Sequence, residues 1–195
     1  YGIAPGDFID FETGVLVNTG WDNTVSTYPF AFTSINPITG NWSIESTNQG
    51  MHSTQSFIDL TFTTSTGGDI SFDYIVSSEF SSLCSWDGMR FFVNGVEVLE
   101  DCGTTGGLES FTYTVNAGLN TVRFMYYKDS SVSSGNDRLV IDNIQLPSSW
   151  ISVNEDLDDD NDGALDDDDL DSLDPCIGTD TDGDGLADVL GTMLN

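Results

Sequence analysis

The sequence predicts an all-β domain, a β-sandwich over residues 1–149, followed by a linker at 150–154 and an acidic arm over 155–195 with no large core of its own. Three observations predict it. Apolar and polar residues alternate with period two through the first 150 residues, and no stretch of comparable length carries a helical period. Asn94-Gly95 separates two such runs, and both residues have easy access to positive φ, as the type I′ turn of a tight hairpin requires. Charge is unevenly spread: of 33 Asp and Glu, 16 lie in 154–195, where no Lys or Arg occurs, while all 4 basic residues precede Val153.

Taken in order, Asp7–Glu12, Pro29–Ser34 and Trp42–Glu45 are the first strand candidates. Ile58, Leu60 and Phe62 then face one way while Asp59, Thr61 and Thr63 face the other. Ile70, Phe72, Tyr74 and Val76 repeat the pattern beyond the turn-prone Thr66-Gly67-Gly68-Asp69. Phe91-Phe92-Val93 and Val96-Glu97-Val98 form the hairpin, and Ser110–Val115, Thr121–Tyr127 and Arg138–Leu146 complete the set. Within the penultimate run, Phe124, Met125, Tyr126 and Tyr127 read as sheet packing, with one face free to meet a partner. Leu146-Pro147-Ser148-Ser149-Trp150 ends the domain with a proline and small polar residues. About nine short strands between Ser, Thr, Gly and Asn turns call for two sheets sharing one core, and a content of 38% hydrophobic and 11% aromatic residues is enough to build it.

Several segments then resemble a known family. Ile70-Ser71-Phe72-Asp73-Tyr74, Asp87–Gly95, Tyr126-Tyr127-Lys128-Asp129-Ser130-Ser131-Val132-Ser133-Ser134-Gly135-Asn136-Asp137 and Val140-Ile141-Asp142-Asn143-Ile144 occur in that order. The series is similar to the jelly-roll modules of secreted bacterial proteins, akin to MAM and cleaved-adhesin domains. Asp10–Gly14, Gly20-Trp21 and Asn41-Trp42 fit the same pattern. The resemblance covers Asp7 to Pro147 and implies a jelly-roll sandwich, extracellular and non-catalytic, used for adhesion, ligand binding or spacing. It also implies a structural calcium between the first and last strands, held by Glu12 and Asp142 with Asp10 or Asp129. The other reading of Glu12 and Asp142 is two strand-end carboxylates in water.

Cysteine usage also suits export. Cys84 and Cys102 bracket the hairpin, and a disulfide between them would stabilise the fold by roughly 3 kcal/mol, against the alternative of two buried thiols. Cys176, in the arm, is a free thiol or pairs outside this chain.

The arm has a spacing that a mere charge run does not. Asp158-Asp159-Asp160-Asn161-Asp162-Gly163-Ala164-Leu165-Asp166 fits D-x-D-x-D-G-x-x-D, and Asp180-Thr181-Asp182-Gly183-Asp184-Gly185-Leu186-Ala187-Asp188 fits it again. In such a loop, Asp158, Asp160 and Asp162, or Asp180, Asp182 and Asp184, converge on one hard cation. The glycine at the sixth position turns the carbonyl of Ala164 or Leu186 inward, and Asp166 or Asp188 acts through water. Position twelve is Asp169 in the first loop and Gly191 in the second, and no amphipathic helix enters, so a regulatory EF-hand is disfavoured. The arm instead resembles thrombospondin type 3 repeats, with Leu165, Leu170, Leu173, Ile177 and Leu186 as sparse apolar pegs and Asp171 and Asp174 in reach of neighbouring sites. Without metal it is a solvated acidic linker, because adjacent carboxylates repel; extracellular sites of this kind fill at roughly 10⁻⁴–10⁻³ M calcium.

Composition excludes several functions. A net charge of −29 and a pI near 4.1 leave no cationic surface for nucleic acid or an anionic membrane, and no segment approaches the ~18 apolar residues of a membrane span. His52 is the only histidine, the cysteines lack zinc spacing, and no glycine loop opens a helix, so the chain reads as no enzyme. Trp21, Trp42, Trp86 and Trp150 are read as core, with Trp86 the most exposed; a flat exposed row of them would instead stack on sugars. The expected function is a calcium-stabilised, extracellular or cell-surface structural and adhesive module of a larger protein or filament. The alternative is a carbohydrate-binding module accessory to a secreted enzyme. Expected partners are accordingly calcium and either other protein chains, through self-assembly, or surface glycans.

Overall fold

The computed structural model describes residues 8–16, 20–103 and 107–147 and the backbone of 150–151. The chain separates into Tyr1–Val153 and Asn154–Asn195, and every described residue lies in the first. The calcium-loop residues of the arm (Asp158, Asp160, Asp162, Ala164, Asp166, Asp169, Asp180, Asp182, Asp184, Leu186 and Asp188) and Cys176 lie outside the described residues.

The strands are β1 (Phe8–Ile9), β2 (Trp21–Asp22), β3 (Ala31–Thr33), β4 (Ser43–Glu45), β5 (Gln55–Thr64), β6 (Gly68–Ser77), β7 (Gly88–Val93), β8 (Val96–Asp101), β9 (Glu109–Val115), β10 (Gly118–Tyr127), β11 (Arg138–Gln145) and β12 (Trp150–Ile151). They form two antiparallel six-stranded sheets. The first runs β3-β4-β11-β6-β9 with β1 also on β11; the second runs β12-β5-β10-β7-β8 with β2 also on β5. Among the described residues there is no helix. The all-β sandwich expected from the alternation is therefore the fold, and the long strands fall where the alternation put them. Trp150 and Ile151, at the start of the expected linker, pair with Thr64 and Thr63 as a last strand.

The period-two pattern builds the core directly. Ile58, Leu60 and Phe62 of β5 and Val122, Phe124 and Tyr126 of β10 are fully buried on one face of the second sheet; Ile70, Phe72, Tyr74 and Val76 of β6 meet them from the first. The turn between β5 and β6 makes no hairpin but carries the chain from one sheet to the other, so the two alternations face each other across the core. Gly67 makes that crossing with φ +76°, and any Cβ there would lie 2.6 Å from the Val115 carbonyl oxygen. At Asn94 and Gly95 φ is +51° and +80°, consistent with the expected hairpin turn.

β11 departs from strict alternation. Leu139 and Ile141 point inward, but so do Ile144 and Leu146, which a strict period would send outward. A bulge between Asp142 and Gln145, with Asn143 at φ +52°, absorbs the extra residue.

Cys84 and Cys102 are joined, with Cα atoms 5.4 Å apart, tying the segment before β7 to the end of β8. Replacing both by serine is expected to lower stability by about 3 kcal/mol for a loop of this length. Urea denaturation of the oxidised protein and the variant measures it, and equal midpoints would refute it.

Candidate functional site

Three groupings of polar side chains stand apart from the core. The first is the outer face of the second sheet, built by the residues out of phase with the core. Cross-strand pairing places Asp59 beside Arg123 and Arg123 beside Phe92, and in the next row Phe57 beside Met125 and Met125 beside Arg90. Arg123 donates to both Asp59 oxygens at 2.7 Å, and its guanidinium lies 4.1 Å from the Phe57 ring centroid. Arg90 repeats the arrangement: it pairs with Glu100 at 2.9 Å and Glu97 at 3.5 Å and lies 4.1 Å from the Tyr127 ring. Each long cation is thus fixed by an acid on one side and an aromatic face on the other. The hydrogen bond to Asp59 raises the Arg123 pKa further, burial opposing it.

Beside the Arg123–Asp59 pair lies a cleft of about 400 Å³ lined by Asp59, Phe92, Gly95, Thr121, Arg123 and Met125. A second hollow of about 710 Å³ includes Tyr28, Gln55, Phe57 and Asp129 in its walls, so the two adjoin at the Arg123–Phe57 stack. Besides the tryptophans, the sequence pointed to one face of the Phe124–Tyr127 run, but not to Phe57 or Phe92. Trp21 packs against Phe11 and Trp42 against Phe32, whereas Trp86 is 46% exposed; no exposed row of tryptophans exists among the described residues. The signal was there: Phe57, Phe92 and Tyr127 are aromatics at the outward positions of alternating strands.

The second grouping contains Glu12 and Asp142. Both close on residues 39–42: Asn41 and Trp42 amides donate to Glu12 at 2.7 and 3.0 Å, and the Asn41 side chain donates at 2.8 Å. Thr39 (amide and hydroxyl) and Ser43 donate to Asp142. Gly40 takes φ +56°, which side chains rarely adopt, and a Cβ there would push the Glu12 carboxylate aside. The Trp42 and Asn41 donors hold the Glu12 carboxyl below its ordinary pKa. Asp142 is wholly buried, and burial pushes its pKa up despite those donors. Among the described residues no basic side chain pairs with it. Phe11 and Asn143, adjoining the two acids, both have positive φ, a strained choice for a buried phenylalanine. Asp142 is thus a buried carboxylate met by the donors of Thr39, Ser43 and the Asn143 amide, whereas Glu12 is only partly covered.

The third grouping is the centre of the Lys-Asp-x-Ser-Val-Ser-Ser-Gly segment. Lys128 is buried and donates to Asp87 at 2.6 Å, to Ser133 at 3.1 Å and to Asp137. Asp137 also accepts the Tyr126 hydroxyl at 3.0 Å and the Gly50 amide at 2.6 Å. Asp129, which the resemblance offered to the Glu12–Asp142 pair, instead stands with Glu79 and Asp87, their oxygens within 4.8 Å of one another. Burial and the Asp87 and Asp129 charges raise the Glu79 pKa.

These features define a two-sheet β-sandwich module with one cleft-bearing sheet face. No protein-family model matches the sequence, and no curated protein does. Among solved structures, the K3 cleaved adhesin domain of Lys-gingipain from Porphyromonas gingivalis superposes with a TM-score of 0.50 at 13% identity, over 73% of this chain and 96% of that one. The K2 cleaved adhesin domain of Lys-gingipain gives 0.48 at 13%, over 72% and 98%. The CBM22-1 xylan-binding domain of Paenibacillus barcinonensis Xyn10C gives 0.44 at 15%, over 73% and 95%. What the K3 likeness establishes is a shared sandwich fold. No helix among the described residues is long and apolar enough to cross a membrane.

Proposed function

We propose that this chain is a non-catalytic extracellular module that attaches a larger secreted or surface protein to glycan through the outer face of its second sheet. Calcium orders its acidic arm and seats between Glu12 and Asp142. The observation that carries the reading is the cleft beside Phe92, where an aromatic side chain, a fixed guanidinium–carboxylate pair and the Thr121 hydroxyl border one open groove. Sugar sites combine a flat apolar surface with a few placed polar groups. The cleaved adhesin domain among the structural neighbours agrees with an adhesive role. Attachment to a glycan surface joins the adhesive and the carbohydrate-binding expectations in one role. Affinity electrophoresis through polysaccharide-loaded gels tests it: retardation that disappears on mutating the cleft supports the reading, and unaltered mobility in every gel overturns it.

The calcium part has its own test. Adding millimolar calcium to the metal-free full chain is expected to bind at least two ions in the arm, by the two-loop spacing, and to raise the melting temperature of the sandwich. Glu12→Gln with Asp142→Asn removes the sandwich shift and keeps arm binding; Asp180→Asn with Asp182→Asn weakens arm binding and keeps the sandwich shift. Calorimetry finding fewer than two ions, or a sandwich melt indifferent to calcium, refutes the corresponding half.

A further inference from the structure

Resting on that reading of the cleft, we infer that its ligand is an uncharged, hydroxyl-rich polysaccharide, and that polyuronates are rejected. The charges around the groove decide this. Arg123 is neutralised by Asp59, with Asp22 also close enough to act on it, and Arg90 is neutralised by Glu97 and Glu100. Four carboxylates face two guanidiniums, and the adjoining hollow is bordered by Asp129 and by Lys128, which Asp87 and Asp137 already neutralise, so an incoming anion meets net negative charge on a chain already at −29. Each guanidinium charge is already balanced by the acid that holds it, so a carboxylate gains no net attraction from it.

A hydroxyl suits what remains of the pair: it accepts from the Arg123 N–H groups not bonded to Asp59 and donates to a second lone pair of Asp59. Neighbouring hydroxyls of one ring could thus use both halves of the pair. The Thr61 and Thr121 hydroxyls, 3.0 Å apart, extend the same donor and acceptor row. Phe92 supplies the flat apolar surface for the sugar C–H face. At the hairpin end, Gly95 has open space around its Cα, so the groove is not closed there. Its other end adjoins the second hollow, which suits a chain longer than one sugar.

The test uses the full chain in gels carrying a neutral mannan, a neutral xylan or a β-glucan, and in parallel polygalacturonate. Retardation by at least one neutral polymer, equal at low and high salt, with none by polygalacturonate, is expected. Phe92→Leu, which keeps the apolar cover of the strand, should weaken neutral binding about tenfold, and Phe92→Tyr should retain it. Preference for polygalacturonate that is lost in Phe92→Leu overturns this inference and leaves the cleft as the binding site. No retardation in any gel, or binding indifferent to Phe92→Leu, overturns both.

Discussion

Replacing Lys128 by methionine is expected to destabilise the sandwich by about 3–5 kcal/mol, the cost of leaving buried carboxylates without their cation. Lys128 and Asp87 have fully buried side chains and Asp137 is 7% exposed, so water cannot take over the lost bonds. The pH dependence separates a charge effect from lost packing. Burial opposes the Lys128 charge, but Asp137 and Asp87 outweigh it and raise its pKa above 10.5; burial also opposes ionised Asp137, but Lys128 and the other donors lower its pKa below 3.8. The Asp137 contribution is therefore full above pH 3.8 and is lost as pH falls through its lower folded value. That of Lys128 is full below pH 10.5 and is lost as pH rises through its higher folded value. In the variant the sign at acid pH reverses, because protonation relieves unpaired buried acids. Thermal melts between neutral pH and pH 3 should fall for the parent over an interval where the variant rises. A variant that loses stability equally at every pH would show that Lys128 acts by packing alone.

Phe72→Ala is expected to cost about 3–5 kcal/mol for the cavity and lost contacts. Phe72 comes from the first sheet and lies 4.8 Å from Phe91 and 4.9 Å from Phe124, both of the second, while those two rings are themselves 4.9 Å apart. The triangle is the point where the sheets interlock, and all three residues are buried at 1% exposure or less. Their neighbours belong to long paired strands that cannot collapse inward to fill a phenyl-sized hole. Urea denaturation should show a lower midpoint with an unchanged slope. A loss below about 1 kcal/mol would mean that the rings repack, and that the sheets are held mainly elsewhere.

How far the sequence could be read differs by element. β5, β6 and β10 announce themselves because a ten-residue alternation has one energetically acceptable orientation: slipping β5 by one residue would expose Ile58, Leu60 and Phe62 together. β2 and β12, two residues each, carry no period and exist only because β5 offers them an edge. The Glu12–Asp142 pair was legible through resemblance. Its geometry was not, since the 39–42 segment that joins the two acids is remote in sequence from both. Lys128 was visible as part of a motif, but its burial between Asp87 and Asp137 was not.

Alternation and composition settle the all-β class, the inward face of each long strand and the concentration of negative charge after Val153, because both act locally and need no partner to be read. Which acids meet depends on the packed chain. Folding assigns Asp129 to Glu79 and Asp87, places Lys128 between Asp87 and Asp137, and sets Phe92 beside Arg123. Strand order and register bring together residues far apart in the chain, and no local preference specifies which strands will be neighbours. The same register turns the outward residues of β5, β7 and β10, unremarkable one strand at a time, into a single face with paired charges and an aromatic cleft.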